Sequence, residues 1–354
     1  MKNKIANLIG FLLVVAIFLA VPISNYFMPQ SKIEVVKQDG LLQTVKERGF
    51  LICGVNSGLP GFAAQDEEGN WSGLDVDFCR AVSAAVFGDA DKVEYIGLSA
   101  AERFPTLASR SIDVLSRNTT WTISRDVNLM FEFAGVSYYD GQGFLVPADL
   151  GISSATELDG AFVCITPETT SELNLNDYFL ENNMQYKPIP VENTKEARAK
   201  LFASECDVFT TDASGLASAR AGADNPEDWI VLPEIISKEP LGPLVRQGDQ
   251  EWEDVVRWTL FAMINAEEMG ITSENVDEML SSKSKEVKRL LGEEGYMGPM
   301  LGLGMKFGYN IIKQVGNYGE SFDKHIGPGT PLNLERGLNN LWNNGGILYV
   351  PPFR

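Results

Sequence analysis

The stretch Ile112-Asp-Val-Leu-Ser-Arg-Asn-Thr-Thr-Trp-Thr-Ile-Ser-Arg-Asp126 reads as one apolar strand running into a loop dense with hydrogen-bonding groups. Ile112, Val114 and Leu115 form the strand. Beyond it, Asn118, Thr119, Thr120, Thr122 and Ser124 can donate hydrogen bonds, and Arg125 offers a planar fork that matches a carboxylate. One reading is an anion-binding pocket. The plainer one is a Thr/Ser-rich turn that caps the next helix, with Arg125 paired to a surface acid.

Upstream of this stretch, strand and helix patterns alternate. Leu41 to Gly49 reads as a short helix closed by glycine, and Phe50 to Val55 as a strand. A turn-rich loop from Asn56 to Phe62 follows, then a helix to about Phe87 with Val76, Cys79, Val82, Ser83 and Val86 on one face. Lys92 to Ile96 is a strand, and Ser99-Ala-Ala-Glu102 is a capping box opening a helix to about Ser109. Such alternation predicts a mostly parallel sheet covered on both faces, with ligands at the carboxyl ends of its strands.

A second unit of the same kind starts near Thr156. Its strand Ala161 to Ile165 runs into Thr166-Pro-Glu-Thr169-Thr170-Ser-Glu172, another capping box, so free N–H groups and a positive helix end sit just past a strand. The helix Lys195 to Ser204 precedes a strand from Cys206 to Thr210 that leads into Thr211 and Asp212. An acid there suits an ammonium group, although Asp212 could equally cap the helix Ala213 to Arg220. From Ile230 to Val245 the chain is extended and Pro-rich, which suggests a return to the first lobe. A helix from Glu251 to Met269 carries Trp252, Val255, Val256, Leu260, Met263 and Ile264 as a core stripe. The remainder, Thr272 to Arg354, reads as elaboration of lobe 1.

Composition excludes several classes. The 354 residues carry a formal net charge of −19, so clustered Lys and Arg for nucleic acid are not expected. The single histidine, His325, removes most His-based triads and multi-imidazole metal sites; an exposed loop position is expected for it. No metal or cofactor is expected. Residues 1–28 place Lys2 and Lys4 ahead of an apolar run from Ile5 to Ile23, the order of a secretory signal, but no small-x-small cleavage site follows cleanly. Retention of residues 5–23 as a membrane anchor therefore stays open. Export fits the cysteines. Cys53 lies in a strand and Cys79 in the next helix, while Cys164 and Cys206 share a later unit, so the pairs Cys53 with Cys79 and Cys164 with Cys206 are expected, one staple inside each lobe. Four buried thiols are the alternative.

From about Leu41 onward the chain resembles the periplasmic solute-binding proteins of polar amino-acid ABC importers (bacterial extracellular solute-binding protein family 3), most of all the general L-amino-acid or glutamate/glutamine/aspartate/asparagine branch. The resemblance is carried by Gly49 to Phe62, Gly73 to Ala81, Arg117 to Arg125, Thr169 to Asn176, Thr210 to Leu216 and Lys238 to Leu241, in that order. It implies an α/β, two-lobed type II periplasmic-binding-protein fold, each lobe a mostly parallel sheet flanked by helices, with two hinge strands joining them. The expected bounds are a signal or anchor at 1–28, a linker at 29–40, lobe 1 at 41–146, lobe 2 at 147–236, and 237–354 as the return to lobe 1 plus a helical extension.

The resemblance also implies roles. Arg125 would fork onto the ligand's α-carboxylate with help from Thr120, and the main chain around Asn118 would accept from the ammonium. Thr170, beside Thr169, would bind the carboxylate from the other lobe, Asp212 would pair with the ammonium, and Phe62 would cover the ligand. Arg117 could meet an acidic side chain or belong to a surface ion pair; the cleft loops offer no second obvious base. Glu168 departs from the family pattern and must point away from a carboxylate. The implied protein is a monomeric, non-enzymatic periplasmic receptor serving inner-membrane ABC permease subunits. The alternatives are a cyclohexadienyl/arogenate dehydratase-like enzyme, for which Glu102, Glu168 and Asp75 are the loose acid candidates, and an anchored amino-acid sensor.

Overall fold

The computed structural model describes residues 40–354. The expected signal or anchor segment and nearly all of the linker lie outside the described residues, among which no helix is long and apolar enough to cross a membrane.

Two five-stranded sheets form two lobes. In lobe 1 the order is Val93–Leu98, Leu51–Asn56, Val114–Leu115, Leu244–Arg246, Phe131–Phe133; the first three are parallel and the returning Leu244–Arg246 runs antiparallel to both its neighbours. In lobe 2 the order is Lys187–Pro190, Phe162–Ile165, Val208–Asp212, Gln142–Pro147, Trp229–Val231, again three parallel strands followed by one, Gln142–Pro147, that runs antiparallel to both its neighbours. The inner parallel strands Leu51–Asn56, Val114–Leu115, Phe162–Ile165 and Val208–Asp212 are mostly buried because helices cover both faces, whereas the edge strands Val93–Leu98 and Lys187–Pro190 are half-exposed. The predicted helices appear as Leu41–Arg48, Leu74–Phe87, Arg103–Ala108, Thr170–Glu181, Thr194–Phe202, Ala213–Ala221 and Gln250–Glu268. All six residues of the Trp252 to Ile264 stripe are buried.

The lobes are joined by a two-stranded antiparallel ribbon, Tyr138–Asp140 against Glu239–Leu241. The C-terminal helices pack onto the lobe 1 core through Leu290, Phe307, Ile311, Tyr318 and Phe322, and the tail does so through Phe353. They also hold the ribbon. Asn339 accepts from the Tyr139 N–H at 2.6 Å and donates to the Tyr139 carbonyl at 3.0 Å, while the Tyr318 hydroxyl donates to the Ser137 carbonyl at 2.7 Å. A side-chain amide thus satisfies the outward backbone groups that a third strand would otherwise pair.

Both expected disulfides are present, Cys53 with Cys79 and Cys164 with Cys206. Cys206 lies in the bend ahead of its strand rather than within it. His325 departs from expectation. It ends the helix Tyr318–His325, its side chain is only 9% exposed, and its Nε2 sits 2.8 Å from Asp77 Oδ2. The capping box Asn317/Glu320 starts that helix, which is why a Gly/Pro-rich neighbourhood did not become a loop there.

Candidate functional site

The carboxyl ends of the parallel strands of both lobes face one another across a closed cleft. The cavity between them measures about 50 Å³. Lobe 1 lines it with Asn56, Ala100, Arg103, Arg117, Asn118, Thr120 and Arg125; lobe 2 does so with Thr166, Thr169, Thr170, Ser171, Glu192, Asn193, Thr194, Thr210, Thr211 and Asp212. The structure therefore brings together Arg125, Arg117, Asn118, Thr120, Thr169, Thr170 and Asp212.

Arg125 is carried on a wide helical turn, Ser124–Asn128, whose Arg125 N–H is held by the Thr122 hydroxyl at 3.3 Å. Arg125 is 6% exposed, and its guanidinium donates Nη1 to the Thr120 carbonyl at 2.8 Å and lies 5.3 Å from the centre of the Phe104 ring. No carboxylate among the described residues pairs with it, so the surface-acid reading fails. Burial lowers its proton affinity, and the charges of Glu239 and Asp212 push it back up.

Asp212 stands at the N-cap of the helix Ala213–Ala221 but makes no cap hydrogen bond. Its carboxylate faces Asn118 Nδ2 at 3.4 Å. Burial, and then the charges of Asp140 and Glu239, raise its pKa well above the usual carboxylate value. A cation is what would restore it.

Asn118 itself is placed with care. Its φ is +21°, a conformation asparagine tolerates better than most residues. Asp75, buried in the first turn of its helix, accepts from the Asn118 N–H and from the Ser116 hydroxyl, both at 3.0 Å, and Asn56 donates to Asn118 Oδ1 at 2.9 Å. Desolvation raises Asp75 to about 6.

On the other lobe, Thr169 caps the helix Thr170–Glu181 by accepting from the Glu172 N–H. Only half the expected capping box forms, because Glu172 takes the N–H of Glu168 instead. The first N–H groups of that helix, Thr170 and Ser171, have no intrahelical acceptor and lie at the cavity. Glu168 is exposed, with φ +60°, and lines an outer chamber rather than the cavity.

Phe62 corrects an expectation. It is 1% exposed and packs edge-on against Tyr138, ring centres 5.3 Å apart, inside the lobe 1 core rather than over the cleft. The Asn56–Phe62 loop folds back through Leu59, whose N–H and carbonyl both bond Ala63, and this draws the ring inward.

Two further residues were not singled out from sequence. Arg103, at the start of the helix behind the Ser99/Glu102 box, is 3% exposed, and its Nε finds no partner among the described residues. Burial, then the neighbouring Arg117 and Arg125, pull its pKa well down. Arg117 is equally buried, bonded through Nε only to the Leu98 carbonyl at 3.0 Å, and burial drops it to about 10. The cleft thus holds three guanidinium groups, Arg103 adding to Arg117 and Arg125 the further base that the cleft loops were not expected to offer. Glu239 is the other; it lies in the Lys238 to Leu241 segment that carries the resemblance, but no local pattern marks its carboxylate. Among the described residues no cluster of His, Cys, Asp or Glu could hold a metal ion.

Residues 51–275 match the model of the bacterial extracellular solute-binding proteins, family 3. The general L-amino acid-binding periplasmic protein AapJ of Rhizobium johnstonii is 58% identical, over 88% of this chain and 92% of that protein. The glutamate/glutamine/aspartate/asparagine-binding protein BztA of Rhodobacter capsulatus is 53% identical, over 88% of this chain and 93% of its own length. Among solved structures, an ABC transporter periplasmic binding protein from Brucella ovis with glutathione bound has a TM-score of 0.87 at 53% identity, covering 89% of this chain and 99% of that one. Lobes, hinge ribbon and relatives agree on a type II periplasmic-binding-protein fold, and the chain belongs to the bacterial extracellular solute-binding proteins, family 3.

Proposed function

We propose that the cleft captures an L-amino acid with an acidic or amide side chain and delivers it to the permease subunits of an ABC importer from the periplasm. The α-carboxylate meets the free fork of Arg125 and the N–H groups of Thr170 and Ser171. The α-ammonium meets Asp212. Each charge of a zwitterion costs several kcal/mol to desolvate unless paired. Arg125 belongs to lobe 1 and Asp212 to lobe 2, so both partners are supplied only when the lobes shut, and the ligand favours the closed state by differential affinity.

The observation that carries the side-chain reading is Arg103, a buried cation with an unpartnered Nε, beside Arg117. With Arg125 committed to the α-carboxylate, two guanidinium groups remain for a second carboxylate or an amide oxygen. BztA, whose name states glutamate/glutamine/aspartate/asparagine binding, supports the same choice, while the name of AapJ supports amino-acid binding in general. Binding without turnover is supported by the acids considered for catalysis. Asp75 is spent on Ser116 and Asn118, Glu102 on Ser99, and Glu168 is exposed, so none lines the cavity.

A thermal-shift screen against the twenty L-amino acids tests this. Ligand at 100 times its dissociation constant adds about 2.7 kcal/mol to stability. Glutamate, aspartate, glutamine and asparagine should give the largest shifts; no shift with any amino acid would overturn the reading.

A further inference from the structure

Behind the cavity lies a buried carboxylate that contacts no described cation. Glu239 is 1% exposed and opens the returning hinge strand Glu239–Leu241. Its Oε1 accepts from Asn174 Nδ2 and from the Ser237 hydroxyl, each at 2.7 Å. Its Oε2 accepts from the Thr170 hydroxyl at 3.1 Å and from the Thr120 hydroxyl. Four donors fill the roughly four lone-pair positions of an ionised carboxylate.

The amide directions in this network are dictated from its far end, and the Thr120 and Thr170 hydroxyls, 3.3 Å apart, share Glu239 Oε2 as their acceptor. Gln142, fully buried, sends Nε2 to the Ser171 carbonyl at 3.0 Å and to Thr210 Oγ1 at 2.9 Å, and the Thr210 proton is itself committed to the Gly143 carbonyl at 2.7 Å. A backbone carbonyl only accepts, so Gln142 Oε1 is the acceptor end, and it takes Asn174 Nδ2 at 3.0 Å. Asn174 must then show its NH2 to Glu239 as well. Ser237 accepts from the Gln142 N–H at 3.3 Å and gives its own proton to Glu239. The Thr120 hydroxyl has a single proton. Spending it on Glu239 turns a lone pair toward the cavity that Thr120 shares with Asp212 and Asn118.

We propose that Glu239 is a positioning residue: it fixes the Thr120 hydroxyl as a hydrogen-bond acceptor, so that a ligand ammonium meets a lone pair rather than a proton, in place of the carboxylate contact that the resemblance implies for Thr120. This rests on the amino-acid reading of the cavity. Without such a fixed sink, the hydroxyl would be free to turn its proton inward, toward the carboxylate end of the same ligand. Glu239 thereby helps to decide which end of a zwitterion lies where.

The isosteric change Glu239→Gln reads this out. Asn174 is an obligate donor at Oε1, so the introduced amide must place its oxygen there and its NH2 against the threonine hydroxyls, which then accept and point their protons into the cavity. Titration calorimetry with L-glutamate should show binding weakened about 10- to 100-fold. Thr120→Val, which keeps Glu239, should cost a similar factor, and the double variant should bind no more weakly than the weaker single one. Should Glu239→Gln lower the ligand-free melting temperature, Thr120→Val alone decides. Affinity at the wild-type level in Thr120→Val or in a folded Glu239→Gln, or additive losses in the double variant, would overturn the proposal. A wild-type chain that binds no L-amino acid would instead overturn the functional reading on which it rests.

Discussion

Replacing Arg125 by alanine should separate binding from folding. The guanidinium is buried, bonded only to the Thr120 carbonyl and stacked on Phe104, with the rest of its fork open to the cavity. A bidentate pair with a carboxylate adds two charge-assisted hydrogen bonds, each worth about 1.5–3 kcal/mol. Their loss amounts to about 3–6 kcal/mol, or about 10²- to 10⁴-fold in dissociation constant. Stability without ligand moves differently. The carbonyl bond and the ring contact are lost, but so is the cost of holding a cation away from water. These terms oppose one another, so the ligand-free melting temperature should change little. Arg125→Lys keeps the charge but not the fork and should fall between, about 10- to 100-fold weaker. Calorimetry with L-glutamate beside thermal denaturation of ligand-free protein gives both numbers. Binding by Arg125→Ala within roughly threefold of wild type, or an affinity loss matched by collapse of the ligand-free melting temperature, would refute the assignment.

Two other outcomes follow from the geometry. Asp212 must be ionised to pair with an ammonium, and its pKa is raised in the free protein by burial, Asp140 and Glu239. Affinity should therefore fall as pH drops through that raised value, approaching tenfold per pH unit below it, with a proton released on binding; Asp212→Asn should bind weakly with a flat profile, and a wild-type profile that stays flat on acidification would contradict the pairing. The Cys164–Cys206 bridge spans 42 residues of sequence inside lobe 2. Loop-closure entropy sets its contribution at about 4 kcal/mol, so replacing both cysteines by alanine should lower the denaturation midpoint accordingly, and an unchanged midpoint would show that lobe 2 does not depend on the staple.

What the sequence made legible lay within short distances along the chain. Thr170 follows a strand closely, Asp212 ends one and Arg125 lies in the loop beyond one, where alternation alone places ligand-facing groups, and each cysteine pair lies inside one lobe. Arg103 occupies the same kind of position, one residue past a capping box near a strand's carboxyl end, but a capping box by itself marks only a helix start. Its convergence with Arg117 and Arg125 depends on packing among three separate elements, which periodicity does not encode. Glu239 was illegible for a stronger reason: its partners Thr120, Thr170 and Asn174 lie 119, 69 and 65 residues away. Phe62 failed in the other direction. An aromatic ring in a turn-rich loop beside a cleft can face either way, and only the pairing of Leu59 with Ala63 turns it inward.

The grip of Asn339 on Tyr139 bears on how far this molecule can be shortened. The family match ends at residue 275, yet the residue that saturates the outer rim of the bending ribbon sits 64 positions later. A chain trimmed to the matched span would strip apolar cover from lobe 1 and leave a bare two-strand edge at the point where the lobes pivot, open to pairing with another chain. The added helices act as an edge guard for the moving part, so the smallest unit that closes cleanly is longer than the smallest unit that resembles the family.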